Sequence, residues 1–321
     1  MQPFLALVMA LALAIAAPAQ GQTDDQKPDH LTVLLDWFVN PDHAALVIAR
    51  EKGFFADQGL EVELIAPADP NDPPKLVAAK QADIALTYQP QLHLQVAEGL
   101  PLRRIGTAIA TPLNSLVVLA DGPIQSIADL EGRKVGFSVG GFEDALLGQM
   151  LQTHGLGLDN VELVNVNFSL SPALVAGQVD AVIGAFRNFE LNQMDLIGHP
   201  GRAFYPEEEG VPAYDELIYV AHVDNLDDPR LQRFIEAVEA ATHWIVNHPK
   251  DAWQVFAATD PLLDDELNKR AWTDTVPRLA LSPAALDHRR YARFADFLQS
   301  RGLIDEVLPV SGYAVDLFDE D

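Results

Sequence analysis

An acid beside a tryptophan, Asp36-Trp37, stands directly after the short apolar run of residues 31–35. The run predicts a buried strand. Asn40 and Pro41 predict a helix start, because asparagine caps free amides and proline needs no N–H there. Ligands of open α/β sheets bind at the carboxyl ends of the strands. A carboxylate that accepts hydrogen bonds and an indole that stacks on flat molecules therefore make this loop a candidate binding loop.

A serine nucleophile is a second candidate. Residues 136–140 read Gly-Phe-Ser-Val-Gly, which fits the G-x-S-x-G elbow and lies between a predicted strand and a predicted helix. Asp195 and His222 follow in the chain order of a serine hydrolase. A motif with three fixed positions in five residues often occurs by chance, and the strand pattern later in the chain suits a two-lobed binding clamp better. Hydrolysis by Ser138 therefore stays an alternative.

Other reactive groups are sparse. Gly140 and Gly141 precede a predicted helix, so their amides could approach an anion. The phosphate-loop lysine and the G-x-G-x-x-G spacing are both absent, which favours a tight turn beside a ligand. The nine histidines show no metal-ligand spacing, and the absence of cysteine excludes a thiolate nucleophile and a disulfide framework. We therefore expect no metal and no cofactor.

The composition of the chain limits which classes of protein remain possible. The chain has 321 residues, 49% of them hydrophobic, and a net charge of −26, which opposes binding to nucleic acid or anionic lipid. The uncharged apolar run of residues 3–19 predicts a signal peptide over residues 1–19, although no Lys or Arg precedes it, and residues 20–30 read as a linker. No later stretch is long and apolar enough to span a membrane. The mature chain is expected to be periplasmic and not membrane-inserted.

Strand and helix patterns alternate along the chain, which indicates an α/β fold with mostly parallel sheets. Residues 115–120 predict a strand that crosses into a second α/β lobe, and residues 217–221 predict the strand that returns. Helices follow to the C-terminus, the last of them predicted over residues 282–301. We therefore expect a two-lobed clamp with a helical tail, in which residues 31–116 and 219–321 form lobe 1 and residues 117–218 form lobe 2.

Two later segments add polar groups. Asn188 and Glu190 follow the predicted strand at residues 181–185, and the turn at residues 210–215 carries Tyr214. Alone, each segment also fits an ordinary helix-start charge or turn.

Together the motifs resemble one known family. The chain contains, in order, Asp36-Trp37-Phe38-x-Asn40-x-x-His43, Gly53-Phe54-Phe55, Pro67-x-x-Pro70, Thr87-Tyr88-Gln89, Asp129-Leu130-Glu131-Gly132-Arg133-Lys134-Val135-Gly136, Asn188-Phe189-Glu190 and Gly210-Val211-Pro212-x-Tyr214. This series resembles the ThiY-like substrate-binding proteins of bacterial ABC transporters, which capture formylaminopyrimidine, a thiamin breakdown product, for salvage. The resemblance spans roughly residues 31–219.

The resemblance implies a non-enzymatic, type II periplasmic binding protein that is partnered by an ABC permease and its ATPase. It implies that Trp37 and Tyr88 stack on a flat heteroaromatic ligand, since rigid aromatics bury large areas at little entropic cost. It also implies that an ionised Glu190 accepts hydrogen bonds from an exocyclic amine. Asn40 and His43 are expected to hold the first loop. Further contacts are expected from Asp36, Asn114, Gly140, Asn188 and Tyr214.

The sequence departs from the family pattern at two points. Val39 stands where the family commonly has proline. The pyrimidine synthases of similar fold carry a cysteine-rich iron site and a pyrimidine-donating histidine, whereas this chain has no cysteine and has Gln91 at about that histidine's place. Synthase activity is therefore not expected. A receptor for another flat heteroaromatic, such as riboflavin, stays open, while sulfonate and nitrate are disfavoured by the acidic, aromatic loops.

Overall fold

The computed structural model describes residues 27–319. The signal peptide expected over residues 1–19 and most of the linker lie outside these residues. The first strand begins at Asp29, within the range expected as linker. Among the helices of residues 27–319, none combines the length and apolarity that a bilayer crossing requires.

Strands and α-helices alternate through most of the described chain. The strands are β1 (Asp29–Leu34), β2 (Leu60–Ile65), β3 (Ile84–Thr87), β4 (Leu102–Ile109), β5 (Asn114–Leu119), β6 (Lys134–Phe137), β7 (Glu162–Asn165), β8 (Ala181–Phe186), β9 (Gly201–Phe204) and β10 (Leu217–His222). The helices are α1 (Ala44–Glu51), α2 (Phe54–Asp57), α3 (Pro73–Ala78), α4 (Gln89–Ala97), α5 (Phe142–Thr153), α6 (Leu170–Val175), α7 (Glu190–Leu196), α8 (Pro229–Asn247), α9 (Pro249–Ala257), α10 (Glu266–Thr275) and α11 (His288–Ser300).

The strands form two five-stranded sheets, one in each lobe. The first has the order β2-β1-β3-β10-β4, and the second has the order β7-β6-β8-β5-β9. β10 runs antiparallel to β3 and β4, and β5 runs antiparallel to β8 and β9. Each of these two strands enters its sheet from the other lobe, so the sheets are mixed. The short edge strand β9 has no clear alternation and was not expected from the sequence.

The chain crosses between the sheets twice, after β4 and before β10. Asn114 is the first residue in the second sheet, and Leu217 is the first back in the first sheet. The fully buried Glu216 accepts the N–H groups of Leu113 and Asn114 at 2.5 and 2.9 Å. Its carboxyl thus joins the two crossing segments. The lobe boundaries at residues 116/117 and 218/219 stay predictions.

The helical tail packs on the first lobe, since Phe234, Phe256 and Phe294 share a core with β1 and β10. The helix predicted over residues 282–301 is shorter than expected, because α11 begins only at His288. The buried Arg104 guanidinium takes the carbonyls of residues 283, 284 and 285 as hydrogen-bond acceptors. Those carbonyls are consequently not available for a helix, and the Asp287 carboxylate caps α11 instead.

Candidate functional site

A cleft between the lobes collects the polar and aromatic ends of strands from both sheets. It encloses about 370 Å³ of free space, including the part open to solvent. Four aromatic rings and three carboxyl groups border it, a combination that suits a flat ligand with polar edges. The lining residues are Asp36, Trp37, Asn40, Tyr88, Glu143, Leu170, Gly184, Phe186, Phe189 and Glu190.

A chain of hydrogen bonds fixes the first-lobe wall. The Asn40 N–H donates to His43 Nδ1 at 3.2 Å, so the proton of the ring lies on Nε2, which donates to Asp36 Oδ1 at 2.9 Å. The Tyr88 hydroxyl donates to Asp36 Oδ2 at 3.0 Å. Asn40 also caps the turn that begins at Pro41, as expected from the sequence. Both oxygens of Asp36 are therefore used to orient Tyr88 and the loop.

The aromatic rings reach across to the second lobe. Tyr88 stacks on Phe142, with ring centroids 4.7 Å apart and planes 24° apart. Trp37 meets Phe168 edge to face, with centroids 4.5 Å apart. Phe38 also contacts Phe168 but remains about half exposed. Tyr88 and Trp37 are thus each supported by a ring from the other lobe, as a fixed stacking platform requires.

Glu190 is the first residue of α7 and lines the cleft from the second lobe. Its Oε2 accepts the Phe186 N–H at 2.7 Å. Burial, only partly offset by backbone hydrogen bonds, raises its pKa to about 8. Burial thus favours the protonated form of this carboxyl near neutral pH, whereas the family resemblance implies an ionised acceptor. A protonated carboxyl both donates and accepts hydrogen bonds.

Glu143 is a cleft residue that sequence reasoning missed. It is 3% exposed, and its Oε2 accepts the Ser138 N–H at 2.8 Å. The Oε1 atom lies against Gly184, where an added Cβ would stand 2.3 Å from it. Gly184 also has a φ of +97°, which favours glycine. An acid two positions after a glycine pair and in the first turn of a helix was the available signal.

Four of the eight residues expected to contact the ligand lie outside the lining of this cleft. Asn114 Oδ1 accepts the Gly184 N–H, and the Tyr214 ring packs edge to face on Phe294. The Gly140 N–H donates to Asn71 Oδ1 at 3.1 Å, and Gly140 borders a separate interlobe cavity beside α3 and α4. The side chains of Asn114 and Tyr214 and the amide of Gly140 therefore do not line the cleft.

Asn188, the fourth such residue, joins the two lobes. Its Nδ2 donates to Asp42 Oδ1 and to Thr275 Oγ1, at 2.7 Å in each case. One turn further on, the Asn192 Nδ2 donates to Asp274 at 2.8 Å. The loop after β8 is thereby held both to the first loop and to α10.

The residues of the hydrolase alternative are not arranged as a catalytic triad. The Ser138 hydroxyl is buried and donates to the carbonyl of Asn167. Asp195 lies on α7 in an ion pair with Arg270, and His222 ends β10 in the other sheet, where its Nδ1 accepts the Asp224 N–H. Ser138, Asp195 and His222 thus each have their own separate hydrogen-bond or ion-pair partner. The elbow motif here is the end of an ordinary strand. In residues 27–319, no group of three or more His, Cys, Asp or Glu side chains is placed to hold a metal ion.

The buried acids predict that stability falls as pH rises. Burial raises the pKa of Asp42 to about 6, of Glu216 to about 7 and of Glu190 to about 8. Each group keeps its proton in the folded state after the unfolded chain has lost it, so the free energy of unfolding decreases between about pH 4.5 and pH 8. Urea denaturation at several pH values tests this, and Glu190→Gln should flatten the upper part of the fall. Stability that rises over this range would contradict it.

Comparison with solved structures gives the class of fold. The alkanesulfonate-binding protein SsuA from Xanthomonas axonopodis pv. citri, bound to MOPS, superposes with a TM-score of 0.71 at 15% identity, covering 90% of this chain and 99% of its own. The fold is therefore that of the two-lobed periplasmic binding proteins, as expected from the sequence.

The sequence comparisons give the family. The chain belongs to the family described as NMT1/THI5 like, which matches residues 40–252. A "Putative thiamine biosynthesis protein" of Haemophilus influenzae is 52% identical over 98% of both chains. The "Formylaminopyrimidine-binding protein" of Halalkalibacterium halodurans is 33% identical over 79% of this chain and 78% of its own. The resemblance to ThiY-like proteins is thereby confirmed.

More distant relatives have another name. A protein of Aspergillus parasiticus, 25% identical over 86% of this chain and 84% of its own, is named "4-amino-5-hydroxymethyl-2-methylpyrimidine phosphate synthase". The fold of this family thus serves proteins named for binding and proteins named for synthesis.

Proposed function

We propose that the protein is the periplasmic substrate-binding protein of an ABC importer and captures an aminopyrimidine of the formylaminopyrimidine type for thiamin salvage. The observation that supports this most is the interlobe cleft, in which Trp37 and Tyr88 face the buried acid Glu190. The relative named for formylaminopyrimidine binding gives independent support. The same cleft would also take another flat heteroaromatic of similar size.

The chemistry of an aminopyrimidine edge matches a protonated carboxyl. The amine donates to the carbonyl oxygen of Glu190, and the adjacent ring nitrogen accepts the carboxyl O–H, which makes two parallel hydrogen bonds. If the proton transfers to the ring nitrogen, the same geometry becomes a charge-assisted pair, which is stronger. Trp37 and Tyr88 supply the stacking surface.

The protein binds and does not transform its ligand in this proposal. Gln91 lies buried on α4 next to Thr87, and the chain has no cysteine for the iron site of the similar synthases. Closure of the lobes over the ligand would present a surface to the permease, which with its ATPase completes the importer. The signal peptide expected over residues 1–19 supports a periplasmic location for the receptor.

Calorimetry with matched pyrimidines tests the proposal. We expect one-to-one binding of formylaminopyrimidine and of 4-amino-5-hydroxymethyl-2-methylpyrimidine, and a loss of at least about tenfold in affinity when the 4-amine is replaced by hydrogen, because the buried acid is left unpaired. Riboflavin serves as the competing flat ligand. Binding of riboflavin with no binding of any aminopyrimidine would overturn the proposed ligand class.

A further inference from the structure

An asparagine of the first lobe binds the backbone of the second lobe. Asn71 lies on the loop between β2 and α3, whereas Ser138 and Gly140 follow β6 in the second sheet. The Asn71 Nδ2 donates to the Ser138 carbonyl at 3.3 Å, and its Oδ1 accepts the Gly140 N–H at 3.1 Å. One side chain therefore uses both its donor and its acceptor on backbone groups of the opposite lobe.

The orientation of the Asn71 amide follows from its partners. Asp69 Oδ1 accepts the Asn71 backbone N–H at 2.8 Å and its Nδ2 at 2.9 Å. These backbone and side-chain hydrogen bonds lower the pKa of Asp69, which keeps this carboxylate an ionised acceptor. Because a carboxylate only accepts, Nδ2 must face it, and Oδ1 is left facing the Gly140 N–H.

A purely local role for Asn71, as part of its own turn, is the alternative. The turn is closed by the Asp72 N–H, which donates to the Asp69 carbonyl, and by the Asp69 carboxylate, which accepts the N–H two residues further on. Both bonds use backbone N–H groups that most residues would supply at these positions. The turn therefore does not require the side-chain amide of Asn71, and that amide is available for the contact across the lobes.

The loop that Asn71 binds is coupled to the cleft. The Ser138 N–H donates to Glu143, which lines the cleft. Phe142, at the start of the helix that follows the loop, stacks on Tyr88 of the first lobe. The Asn71 contact and this ring stack join the same two lobes, so both require the lobes to approach each other.

Building on the proposed function, we propose that Asn71 is a positioning residue that holds the second lobe closed over the bound ligand and so sets how long the ligand stays enclosed. Asn71 lies outside the cleft lining and acts through the loop of residues 138–140. Its two hydrogen bonds across the lobes should favour the closed arrangement by about tenfold, which is the size expected for two neutral hydrogen bonds.

Stopped-flow tryptophan fluorescence with 4-amino-5-hydroxymethyl-2-methylpyrimidine tests this role, because Trp37 lines the cleft. We expect Asn71→Ala to raise the dissociation rate constant about tenfold and to leave the association rate constant within about twofold, since the contact forms only as the lobes close. A role confined to the shape of the turn would not separate the two constants in this way. Asn160→Ala is the matched control, because the Asn160 side chain accepts the Gly157 N–H within the second lobe.

A distance measurement between the lobes tests the same inference without a ligand. The chain has no cysteine, so Asp57→Cys and Glu131→Cys place one spin label at an exposed position of each lobe. We expect double electron–electron resonance to show a population at short distance. Asn71→Ala should reduce this population by about threefold or more, and Asn160→Ala should leave it unchanged. An unchanged distance distribution in Asn71→Ala would overturn the inference.

The outcomes separate this inference from the proposed function. If no aminopyrimidine binds the unmodified protein, the proposed function fails, and the distance measurement alone decides the role of Asn71. If the pyrimidine binds and leaves Asn71→Ala at the unmodified rate, the inference fails and the proposed function stands. Faster dissociation together with a smaller short-distance population, both confined to Asn71→Ala, supports the inference.

Discussion

Glu190→Ala should weaken the binding of an aminopyrimidine by about a hundredfold or more. The substitution removes both hydrogen bonds at the amine edge and leaves the ligand's amine and ring nitrogen unpaired in a buried site, which costs about 1–3 kcal/mol for each group. Two such losses correspond to a factor of about one hundred or more. Isothermal titration calorimetry measures the change directly.

Glu190→Gln distinguishes the protonated acid from the carboxylate. The glutamine amide also pairs a C=O with an N–H donor, and its oxygen accepts the Phe186 N–H as the acid does. We therefore expect a smaller loss than for alanine, about tenfold, because only the sharing of a proton with the ring is removed. Glu131→Gln, on an exposed loop of the same lobe, is the matched control and should leave the affinity unchanged. Unchanged binding by Glu190→Ala would exclude Glu190 from the site.

The first-lobe half of the cleft could be predicted from sequence because its side chains directly follow apolar strands. Asp36 and Trp37 come after β1, and Tyr88 comes after β3, which pairs with β1 in parallel. Parallel neighbours end at the same edge of a sheet, so residues that follow them meet. For this part of the site, the position of a residue directly after a strand is enough to predict that it lies in the cleft.

The second-lobe half depended on contacts that no local pattern encodes. Asn114 occupies a strand start within the second sheet, yet its oxygen is taken by the Gly184 N–H of a neighbouring strand. Glu143 lines the cleft because Gly184, far along the chain, leaves it space. Sequence identifies polar groups near strand ends, whereas long-range packing decides which of them reach the ligand and which bind protein.

Arg104 illustrates the same limit for the fold. Residues 282–301 have a helical pattern, but the buried guanidinium binds three carbonyls at the beginning of that segment, and α11 starts later. A long-range charge therefore overrides a local propensity, as tertiary contacts commonly do.

Asn188→Asp is expected to make ligand affinity depend steeply on pH. In the present structure the Asn188 amide donates to the buried Asp42 carboxyl, which joins the lobes. A second carboxyl at that contact cannot be ionised together with the first, so one of the two must hold a proton whenever the lobes are joined. Closure would then take up a proton, and affinity relative to the unmodified protein should fall by about tenfold or more between about pH 5 and pH 8.

Asn192→Asp supplies the matched control, because it introduces the same charge one helical turn away. The Asn192 side chain also donates to an aspartate of α10 across the lobes, but Asp274 is exposed. Water and salt screen a repulsion there, so the effect on affinity should stay within about 1 kcal/mol at either pH. Calorimetry of both variants and the unmodified protein at the two pH values gives the comparison. If the two variants show a pH dependence of equal size, net charge controls closure and the buried Asp42 contact does not. If the steep pH dependence is confined to Asn188→Asp, the Asn188–Asp42 contact is the one that must form when the ligand is enclosed.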